Sequence, residues 1–406
     1  MPWKIVERPR SFDVGEPLAT VLPVNPIHIS CRHFRKLREL SWAPEGVSLV
    51  LGPNGAGKTT ILDLLRFLRG TFSFGVEDGF RAAHGGDHFP SRGSSDADPV
   101  VFEICVGDVR WRLELPMSAA GLKGRYGEEL YRGDKQILRA GLYAETWQLE
   151  GETLSFEDSR CCAKVLWDRG GASWMRPLHQ ALTDLRTHDF WLNQVREGTT
   201  REDRATFLHG TGKNLWAVLA NWKQAPLRYK GQFDWVIREA RLAFPDILQT
   251  IEFEGGEAYV FPPGATDPAD GLPPRRQADG LLTGLLQLTA VAGAKPGSLL
   301  AFDEMENQLH PHAIRSILRS MRAKAEELDL TILLTTHSPL LMNELGGEPH
   351  KVWVLDTQSG KGPVRLDELK NPDWLAMFPL GELYDRMKFA APPIAASQEA
   401  SAREGR

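Results

Sequence analysis

The sequence predicts an α/β fold built around a P-loop, which is a glycine-rich turn that connects a buried strand to a helix. The first observation is the segment Gly52–Thr60, GPNGAGKTT, which matches the pattern G-x-x-x-x-G-K-[ST]. The apolar run 47–51 before it predicts the strand, and the apolar-periodic run 61–68 after it predicts the helix. The second observation is that two later apolar runs, 298–304 and 331–339, read as buried strands that end in carboxylates and in a histidine.

Composition and charge are those of an ordinary globular protein. With 406 residues, the chain is long enough for one large domain or two of ordinary size. Hydrophobic residues at 42% and charged residues at 25% are typical values. A net charge of -5 argues against a generally basic nucleic-acid binder but leaves room for a local basic groove.

Cysteine usage and the lack of a targeting signal indicate a compartment. The four cysteines contain no C-x-x-C pair and no metal-ligand spacing, which favours reduced structural thiols; they are Cys31, Cys105, Cys161 and Cys162. The N-terminal run MPWKIVERPR has no apolar signal core, and no apolar run approaches the roughly 20 residues needed to cross a bilayer. We therefore expect a cytoplasmic protein that makes no membrane contact.

Changes in composition divide the chain into five predicted segments. They are an irregular N-terminal arm (1–24), an N-lobe with the P-loop and an antiparallel β region (25–169), a helical insert (170–246), a C-lobe (247–389) and a disordered tail (390–406). The arm is rich in proline, and the tail is rich in Ala, Pro, Ser and Glu, a composition that does not support a packed core.

The N-lobe outside the P-loop is predicted to be mostly strands. Residues 27–31 alternate like a strand, and the basic run 32–38 is predicted to continue it. The runs 99–106 and 109–115 flank Gly107-Asp108 and predict a hairpin. Further strand-like pieces up to about residue 167, among them 142–149, predict an antiparallel region outside the parallel core.

The insert is predicted to be helical from Trp174 to about Ala243, and it is rich in arginine. Such arginines more often form a solvated face than a nucleic-acid surface. Within the insert, Gly210-Thr211-Gly212-Lys213-Asn214 looks like a second phosphate loop. It lacks the first glycine at the required spacing and has Asn214 where Ser or Thr should stand, so we do not assign it as a P-loop.

The C-lobe alternates strands and helices, as an α/β core requires. The predicted elements are a strand pair (247–253 and 258–261), a Pro/Gly-rich loop (262–274), a helix (281–291), a buried strand (298–304), a helix (312–328), a buried strand (331–339) and a last strand (352–355).

The P-loop residues have a clear chemical rationale. Glycines let the backbone curl so that several N–H groups converge on phosphates, and the following helix N-terminus adds partial positive charge. Lys58 should reach the β- and γ-phosphates of a nucleotide, and the Thr59 hydroxyl should bind Mg²⁺. The predicted phosphate-binding residues are Gly52, Pro53, Asn54, Gly55, Ala56, Gly57, Lys58, Thr59 and Thr60.

Three later side chains complete the predicted site. In P-loop ATPases the acid that ends the next core strand binds Mg²⁺, and Asp303 fits that position. Glu304 can polarise the attacking water, and the less favoured alternative is a solvated turn carboxylate. His337 ends the following strand, where it can contact the γ-phosphate and the water, although a structural histidine is the simpler alternative.

The order of these motifs resembles that of ABC-type ATPases of the RecF, SMC and OLD-like group. The resemblance rests on GPNGAGKTT, then Ala278-Asp279-Gly280 before a helix, then LLAFDEMENQLHP, then TTHSP, and it spans about 27–384. Members of that group often read DEPENGLHP at the third of these motifs, so Met305 replaces Pro and Gln308 replaces Gly. Ala278 stands where the group's signature loop begins with Ser.

The resemblance implies a dimer in which two copies enclose two ATP molecules with Mg²⁺. Lys58 and Thr59 of one copy would face Ala278, Asp279 and Gly280 of the other. The missing serine hydroxyl would otherwise contact the γ-phosphate of the partner's ATP. Gly280 and the helix N-terminus remain to bind it.

The resemblance also implies a function, with two alternatives. We expect an ATPase whose nucleotide-driven dimerisation switches a partner effector, often a nuclease or another toxin, in prokaryotic anti-phage defence. One alternative is a RecF-like DNA-repair ATPase that clamps DNA directly, with Arg275 and Arg276 among the candidate contacts. The other is a nucleotide-dependent scaffold or sensor with negligible turnover.

Overall fold

The structure is a computed structural model. It describes residues 27–85, 89–95, 97–118, 121–155, 160–170, 172–197, 204–355, 362–370, 375, 377 and 379–387. The predicted N-terminal arm (1–24) and tail (390–406) lie outside the described residues. Among the described residues, no helix is both long and apolar enough to span a bilayer.

The first part of the chain consists mostly of strands, and in the second part strands and helices alternate. The strands are β1 (Ile27–Phe34), β2 (Leu37–Trp42), β3 (Val47–Leu51), β4 (Val100–Val106), β5 (Val109–Leu115), β6 (Met117–Ser118), β7 (Gly121–Leu122), β8 (Gly127–Arg132), β9 (Lys135–Ala140), β10 (Thr146–Leu149), β11 (Glu152–Ser155), β12 (Arg186–His188), β13 (Thr250–Glu254), β14 (Glu257–Phe261), β15 (Leu299–Phe302), β16 (Thr331–Thr335), β17 (Val352–Val354) and β18 (Val364–Arg365). The helices are α1 (Lys58–Phe74), α2 (Val76–Ala82), α3 (Cys162–Asp168), α4 (Arg176–Thr183), α5 (Leu192–Arg196), α6 (Leu215–Gln224), α7 (Pro226–Ala243), α8 (Asp279–Ala292), α9 (Pro311–Leu328), α10 (Pro339–Glu344), α11 (Leu366–Leu369) and α12 (Leu380–Met387).

Two large sheets organise the chain. The core sheet has the order β12-β15-β16-β3-β17-β18, with all neighbours parallel except β17 and β18. The second sheet is antiparallel throughout, in the order β11-β10-β9-β8-β5-β4-β1-β2. The structure therefore has the predicted parallel core with an antiparallel β region beside it.

The core sheet is buried on both faces, as strand β3 illustrates. Successive side chains of a strand point to opposite faces, and all five residues of β3 are buried. Leu49 and Leu51 belong to the hydrophobic core that includes residues of α6 to α9. Val50 belongs to a second core, formed with α1, α4 and the antiparallel sheet. Two layers therefore enclose the core sheet and hold its strand ends in place.

Two local predictions need correction. The run 32–38 continues the first strand only as far as Phe34, because the chain then reverses and β1 pairs with β2. Arg35 in the turn has a φ of 49°, and its guanidinium donates to the carboxylate of Asp63 and to the carbonyl of Ala83 at 2.7 Å. Asp63 and Ala83 are far from Arg35 in sequence, so the basic run alone could not predict the turn.

A second correction concerns the segment predicted as a helical insert. Helices α4 to α7 are present, but β12 lies between α4 and α5 and pairs in parallel with β15 of the core sheet. A three-residue strand is too short to show periodicity, so only its tertiary pairing reveals it.

The histidine that ends β12 is deeply buried beside the core sheet. His188 is 2% exposed, and its ring stacks on Phe302 with a centroid distance of 5.0 Å. Burial lowers the pKa of His188 to about 3, and the charge of Arg186 acts in the same direction. His188 is therefore neutral in the folded protein at neutral pH.

We predict that His188 makes folding stability depend on pH below about 6.5. The unfolded chain binds a proton there with the ordinary histidine pKa of about 6.5, while the folded chain does not, so stability falls as pH drops toward 3. His188→Phe should reduce the loss of unfolding free energy between pH 7.5 and 5.5 by about 1 kcal/mol. Urea unfolding at both pH values measures this, with the exposed His312→Phe as control. Equal pH dependence in wild type and His188→Phe would contradict the assignment.

Candidate functional site

The predicted site residues meet at the carboxyl edge of three adjacent core strands. The order β15-β16-β3 places the ends of these strands side by side. Asp303 follows β15, His337 follows β16 within two residues, and the P-loop follows β3. In open α/β sheets this edge is where ligands bind. The three motifs that the sequence spreads over almost 300 residues therefore form one site.

The P-loop has the backbone geometry of an anion-binding turn. Gly57 has a φ of 111° and stands at the N-cap of α1, where a residue with a side chain would be strained. A Cβ on Gly52 would lie 3.0 Å from the Cβ atoms of Ala56 and Leu355. No side chain caps the N-terminus of α1, so its first N–H groups can bind an anion.

Lys58 is folded back into this loop. It is 7% exposed, and its Nζ donates to the carbonyls of Gly52 at 2.8 Å and Pro53 at 3.4 Å. A third bond joins Lys58 Nζ to His337 Nε2 at 2.5 Å. Burial lowers the pKa of Lys58, and nearby carboxylates, Glu304 above all, oppose that shift.

His337 is held in its neutral form by the same contact. Burial lowers the pKa of His337, and the positive charge of Lys58 lowers it further. A lysine ammonium can only donate, so Nε2 is the acceptor and the ring proton lies on Nδ1. His337 Nε2 lies 3.9 Å from Glu304 Oε1.

Asp303 and Thr59 form a pair of oxygen ligands of the kind that Mg²⁺ prefers. Asp303 Oδ2 accepts from Thr59 Oγ1 at 3.3 Å, and Asp303 Oδ1 accepts from Thr335 Oγ1 at 2.5 Å. Two oxygens bound to one Mg²⁺ at about 2.1 Å in an octahedron lie roughly 3 Å apart, so the pair fits. Within the described residues no group of three or more His, Cys, Asp or Glu side chains could hold a metal. Mg²⁺ usually takes only one or two protein carboxylates and completes its shell with phosphates and water.

Glu304 is placed by an unusual backbone conformation. Its φ is 45°, in the left-handed region that residues with a side chain seldom adopt. Its N–H donates to Thr335 Oγ1 at 2.9 Å, and its Oε2 accepts from Asn307 Nδ2 at 2.9 Å. The Glu304 side chain is 42% exposed, so it can reach a water. Strained backbone of this kind is often found at functional sites.

The sequence analysis assigned no role to Glu306, which the structure places behind His337. Glu306 Oε1 accepts from Thr336 Oγ1 at 2.6 Å and from the His337 N–H at 2.9 Å. It therefore fixes the backbone that carries the histidine. A signal was available, because Glu306 is the third carboxylate of the run DEMEN and matches the related motif.

The signature-loop residues Ala278, Asp279 and Gly280 lie at the N-terminus of α8. Ala278 is its N-cap and carries no capping hydroxyl. Arg196 on α5 fixes the loop by bonding the Asp279 carboxylate and donating to the carbonyl of Gln277 at 2.8 Å. Within the part of the chain that the structure describes, no hydrogen bond joins this loop to the P-loop. The structure thus gathers Lys58, Thr59, Asp303, Glu304 and His337, and it leaves the signature loop outside that group.

The structure shows the surroundings of Met305 and Gln308, the two residues that differ from the DEPENGLHP motif. Gln308 has a φ of 68°, a conformation that suits the glycine that the related group has there. A Cβ on Gly280 would lie 2.7 Å from the carbonyl oxygen of Gln308, so Gly280 is needed for the close approach of α8 to this turn. Met305 is 1% exposed and belongs to the hydrophobic core beneath the sheet.

A family model matches the two segments that carry this site. It is described as an AAA domain, putative AbiEii toxin, Type IV TA system, and it matches residues 47–145 and 265–343. The matched segments include the P-loop, the signature loop, Asp303 and His337. No curated protein sequence is significantly similar to this chain.

Several solved structures are similar in fold. The Smc head bound to the C-winged helix domain of ScpA has a TM-score of 0.51 and 12% identity, over 86% of this chain and 99% of that chain. An SMC head domain from Thermotoga maritima has a TM-score of 0.40 and 13% identity, over 85% and 99%. An Smc head domain with an extended coiled coil, bound to the C-terminal domain of ScpA derived from Pyrococcus furiosus, has a TM-score of 0.44 and 10% identity, over 85% and 97%.

The core sheet, the P-loop and its neighbouring strand ends define a P-loop NTPase fold. The chain is thus similar to ABC/SMC-like P-loop ATPases in the segments that the family model matches and in the fold that it shares with an Smc head. The predicted fold class is thereby confirmed.

We predict that Glu306 stabilises the turn that carries His337. Glu306→Ala removes the acceptor for two donors, the Thr336 hydroxyl and the His337 N–H, and should lower the free energy of unfolding by about 1–3 kcal/mol. Glu306→Gln keeps one acceptor oxygen and should lose less. Urea unfolding compares the two variants with wild type. Equal losses in both would mean that the charge of Glu306, and not its acceptor role, matters.

We also predict that a hydroxyl at position 278 stabilises α8. Ala278 is exposed, with a φ of -68° and a ψ of 144°, which suits an N-cap residue. Ala278→Ser should raise the free energy of unfolding by about 1 kcal/mol, because its oxygen can accept from an uncapped N–H. Ala278→Val, which adds no acceptor, is the control in the same urea titration. A Ser variant no more stable than the Val variant would contradict the prediction.

Proposed function

We propose that this chain binds ATP with Mg²⁺ and hydrolyses it. The observation that carries the proposal is the convergence of Lys58, Asp303, Glu304 and His337 at the carboxyl edge of β15, β16 and β3. A cation for phosphates, a metal-ligand pair, a half-exposed carboxylate and a neutral histidine are the groups that phosphoryl transfer to water requires.

The P-loop and Lys58 bind the phosphates in this proposal. Without nucleotide, the ammonium of Lys58 donates hydrogen bonds to the Gly52 carbonyl and to His337 Nε2. Charged phosphate oxygens are stronger acceptors than either group, so in this proposal Nζ leaves His337 and bonds the phosphate when nucleotide binds. His337 Nε2 is then free to accept from water or to rotate toward the γ-phosphate.

Thr59 and Asp303 would hold Mg²⁺, which when bound neutralises charge on the phosphate oxygens. Thr335 orients Asp303 through its 2.5 Å bond to Oδ1. The same hydroxyl accepts from the Glu304 N–H, so one side chain positions both carboxylates. Asp303 serves as the metal ligand in this arrangement, and Glu304 accepts a proton from the attacking water.

We further propose that two copies enclose two ATP molecules. Ala278, Asp279 and Gly280 make no hydrogen bond to the P-loop within the described chain, yet Arg196 holds them rigidly. A rigid, uncapped helix N-terminus is suited to bind an anion that a second molecule presents. Homodimerisation would place this loop over Lys58 and Thr59 of the other copy.

The proposed cellular role is the switching of a partner effector, a nuclease or another toxin, in prokaryotic anti-phage defence in the cytoplasm. The description of the matching family model, with its putative AbiEii toxin and Type IV TA system, supports a role of this class. ATP-driven closing and opening of the dimer would present or withdraw a binding surface for the effector.

Two alternatives rest on specific features. Arg275 and Arg276 are exposed three and two residues before the signature loop, which favours a RecF-like dimer that clamps DNA in a basic groove. Ala278 lacks the hydroxyl expected at the γ-phosphate, which favours a nucleotide-dependent scaffold or sensor with negligible turnover. Salt-dependent DNA binding would favour the first, and ATP binding without phosphate release would favour the second.

We predict that Glu304→Gln separates nucleotide binding from hydrolysis. The substitution keeps size and hydrogen bonding but removes the base and one negative charge near the γ-phosphate. Phosphate release should fall by about a hundredfold or more, and the ATP-bound dimer should accumulate. A phosphate-release assay and sizing chromatography with and without ATP–Mg²⁺ measure both effects.

Lys58→Ala is the matched control, because it should abolish ATP binding and therefore both turnover and dimer formation. Calorimetry with ATP–Mg²⁺ checks this directly. Wild-type turnover in Glu304→Gln would exclude Glu304 as the base. A strictly monomeric Glu304→Gln protein that binds ATP would exclude the sandwich dimer.

A further inference from the structure

A polar cavity lies beside α1, β12 and the loop 209–213, and four of the side chains that line it are those of arginine or lysine. We call it the basic pocket. It has a volume of about 550 Å³, within the usual range for small-molecule sites. Its walls include Arg66 and Arg69 of α1, Arg186 of β12, the loop 209–213, and the aromatic side chains Trp191 and Phe207.

Among the described residues, little negative charge faces the arginines of this pocket. Arg186 Nη1 donates to the carbonyls of Thr183 at 2.6 Å and Leu185 at 2.8 Å, and Arg69 Nε is buried with no hydrogen-bond partner in the described part of the chain. Both guanidinium groups interact with Asp184, whose carboxylate already pairs with Lys295 at 2.8 Å. Burial lowers the pKa of Arg186 to about 10, and the charge of Arg69 lowers it as well.

The remaining charges in the walls do not restore the balance. Arg66 pairs with Asp63 at 3.0 Å, and Lys213 is exposed. Asp189 is the carboxylate that lines the pocket among the described residues. Arg69 and Arg186, both half-buried, therefore favour an anion as occupant, because a buried cation whose charge is only partly compensated is costly.

The loop 209–213 is the glycine-containing segment that fails the P-loop pattern. Its carbonyls accept from the Asp189 N–H at 2.9 Å and the Trp191 N–H at 3.0 Å. Asn214, 4% exposed, accepts from the His209 N–H at 2.9 Å and donates to the carbonyl of Phe207 at 3.1 Å. The residue that rules out a Walker site thus makes the loop rigid, and the loop carries Lys213 at the same pocket as the arginines.

Two exposed aromatic rings flank these cations. Trp191 is 52% exposed and Phe207 is 42% exposed, unusual values for side chains of this size. The Arg186 guanidinium lies 5.0 Å from the centroid of the Phe207 ring. Exposed rings beside arginines are the arrangement on which nucleobases stack.

The basic pocket is separate from the P-loop. Arg66 and Arg69 follow Lys58 on α1 by eight and eleven residues. At 1.5 Å per residue, they lie about 12 and 16 Å farther along the helix axis. A ligand of the basic pocket would therefore not occupy the phosphate site at the P-loop.

We propose that the basic pocket binds the terminal phosphate of a nucleotide, with the phosphate between Arg69, Arg186 and Lys213 and the base against Trp191 or Phe207. A phosphomonoester carries nearly two negative charges at neutral pH, which matches the two half-buried guanidinium groups better than a singly charged phosphodiester does. The source of that phosphate is a free mononucleotide or the end of a nucleic-acid strand.

Fluorescence anisotropy tests this with a 3′-fluorescein oligothymidylate of ten nucleotides, with or without a 5′-phosphate. At fixed ionic strength, the phosphorylated strand should bind about tenfold more tightly. Competition with AMP distinguishes the sources. Displacement by AMP means that a free mononucleotide suffices, and retention of the strand means that its end is the ligand.

Variants locate the interaction. The double variant Arg69→Gln/Arg186→Gln should abolish the preference for the phosphorylated strand. The single variant Lys213→Gln should reduce that preference at least about threefold. Because the Lys213 side chain is exposed, its replacement should not affect folding. Arg319→Gln on α9 removes an exposed arginine elsewhere and should change nothing. Lys58→Ala should keep the preference, because the P-loop is a different site.

Three results would overturn the proposal. They are equal affinity for the two strands in wild type, a preference that disappears in Lys58→Ala, and a preference that persists undiminished in Lys213→Gln. None of them bears on ATP binding at the P-loop, which calorimetry of Lys58→Ala tests separately.

Discussion

The parallel pairing of β16 between β15 and β3 is the constraint on which the site depends. Parallel neighbours place their carboxyl ends on one edge of the sheet. This pairing is enough to bring Asp303, His337 and the P-loop close together. Both faces of the sheet are buried under separate cores, which keeps that edge rigid. The contacts at the edge, such as Lys58 to His337, are consequences of this strand order.

Short polar side chains then refine what the sheet brings together. Thr335 accepts from the Glu304 N–H and donates to Asp303, and Glu306 holds the turn that carries His337. These positioning groups are buried or half-buried, whereas the Glu304 side chain that would face water is 42% exposed. The site thus combines well-positioned side chains, the proposed metal and phosphate ligands, with an accessible carboxylate, an arrangement that suits water attack on a phosphate.

Strand β12 connects the segment between α4 and α8 to the core sheet, which it extends beyond β15. It also positions two side chains: Arg186 lines the basic pocket, and the His188 ring stacks on Phe302. Helix α1 contributes to both the P-loop and the basic pocket, with Lys58 at one end and Arg69 along its length. One helix therefore connects the proposed nucleotide site to the proposed phosphate pocket.

Local structures whose causes are contiguous in the chain could be predicted from the amino-acid order. The P-loop, the hairpin β4–β5 and the buried strands β3, β15 and β16 follow from glycine positions and apolar runs, and the structure has them where predicted. The roles assigned to the site residues stay predictions. The turn at Arg35, the strand β12 and the arginine pocket became visible only in the fold, because each depends on partners far away in sequence. Such partners leave no periodic trace in the chain, since sheet order is set by burial of whole layers and not by neighbouring residues.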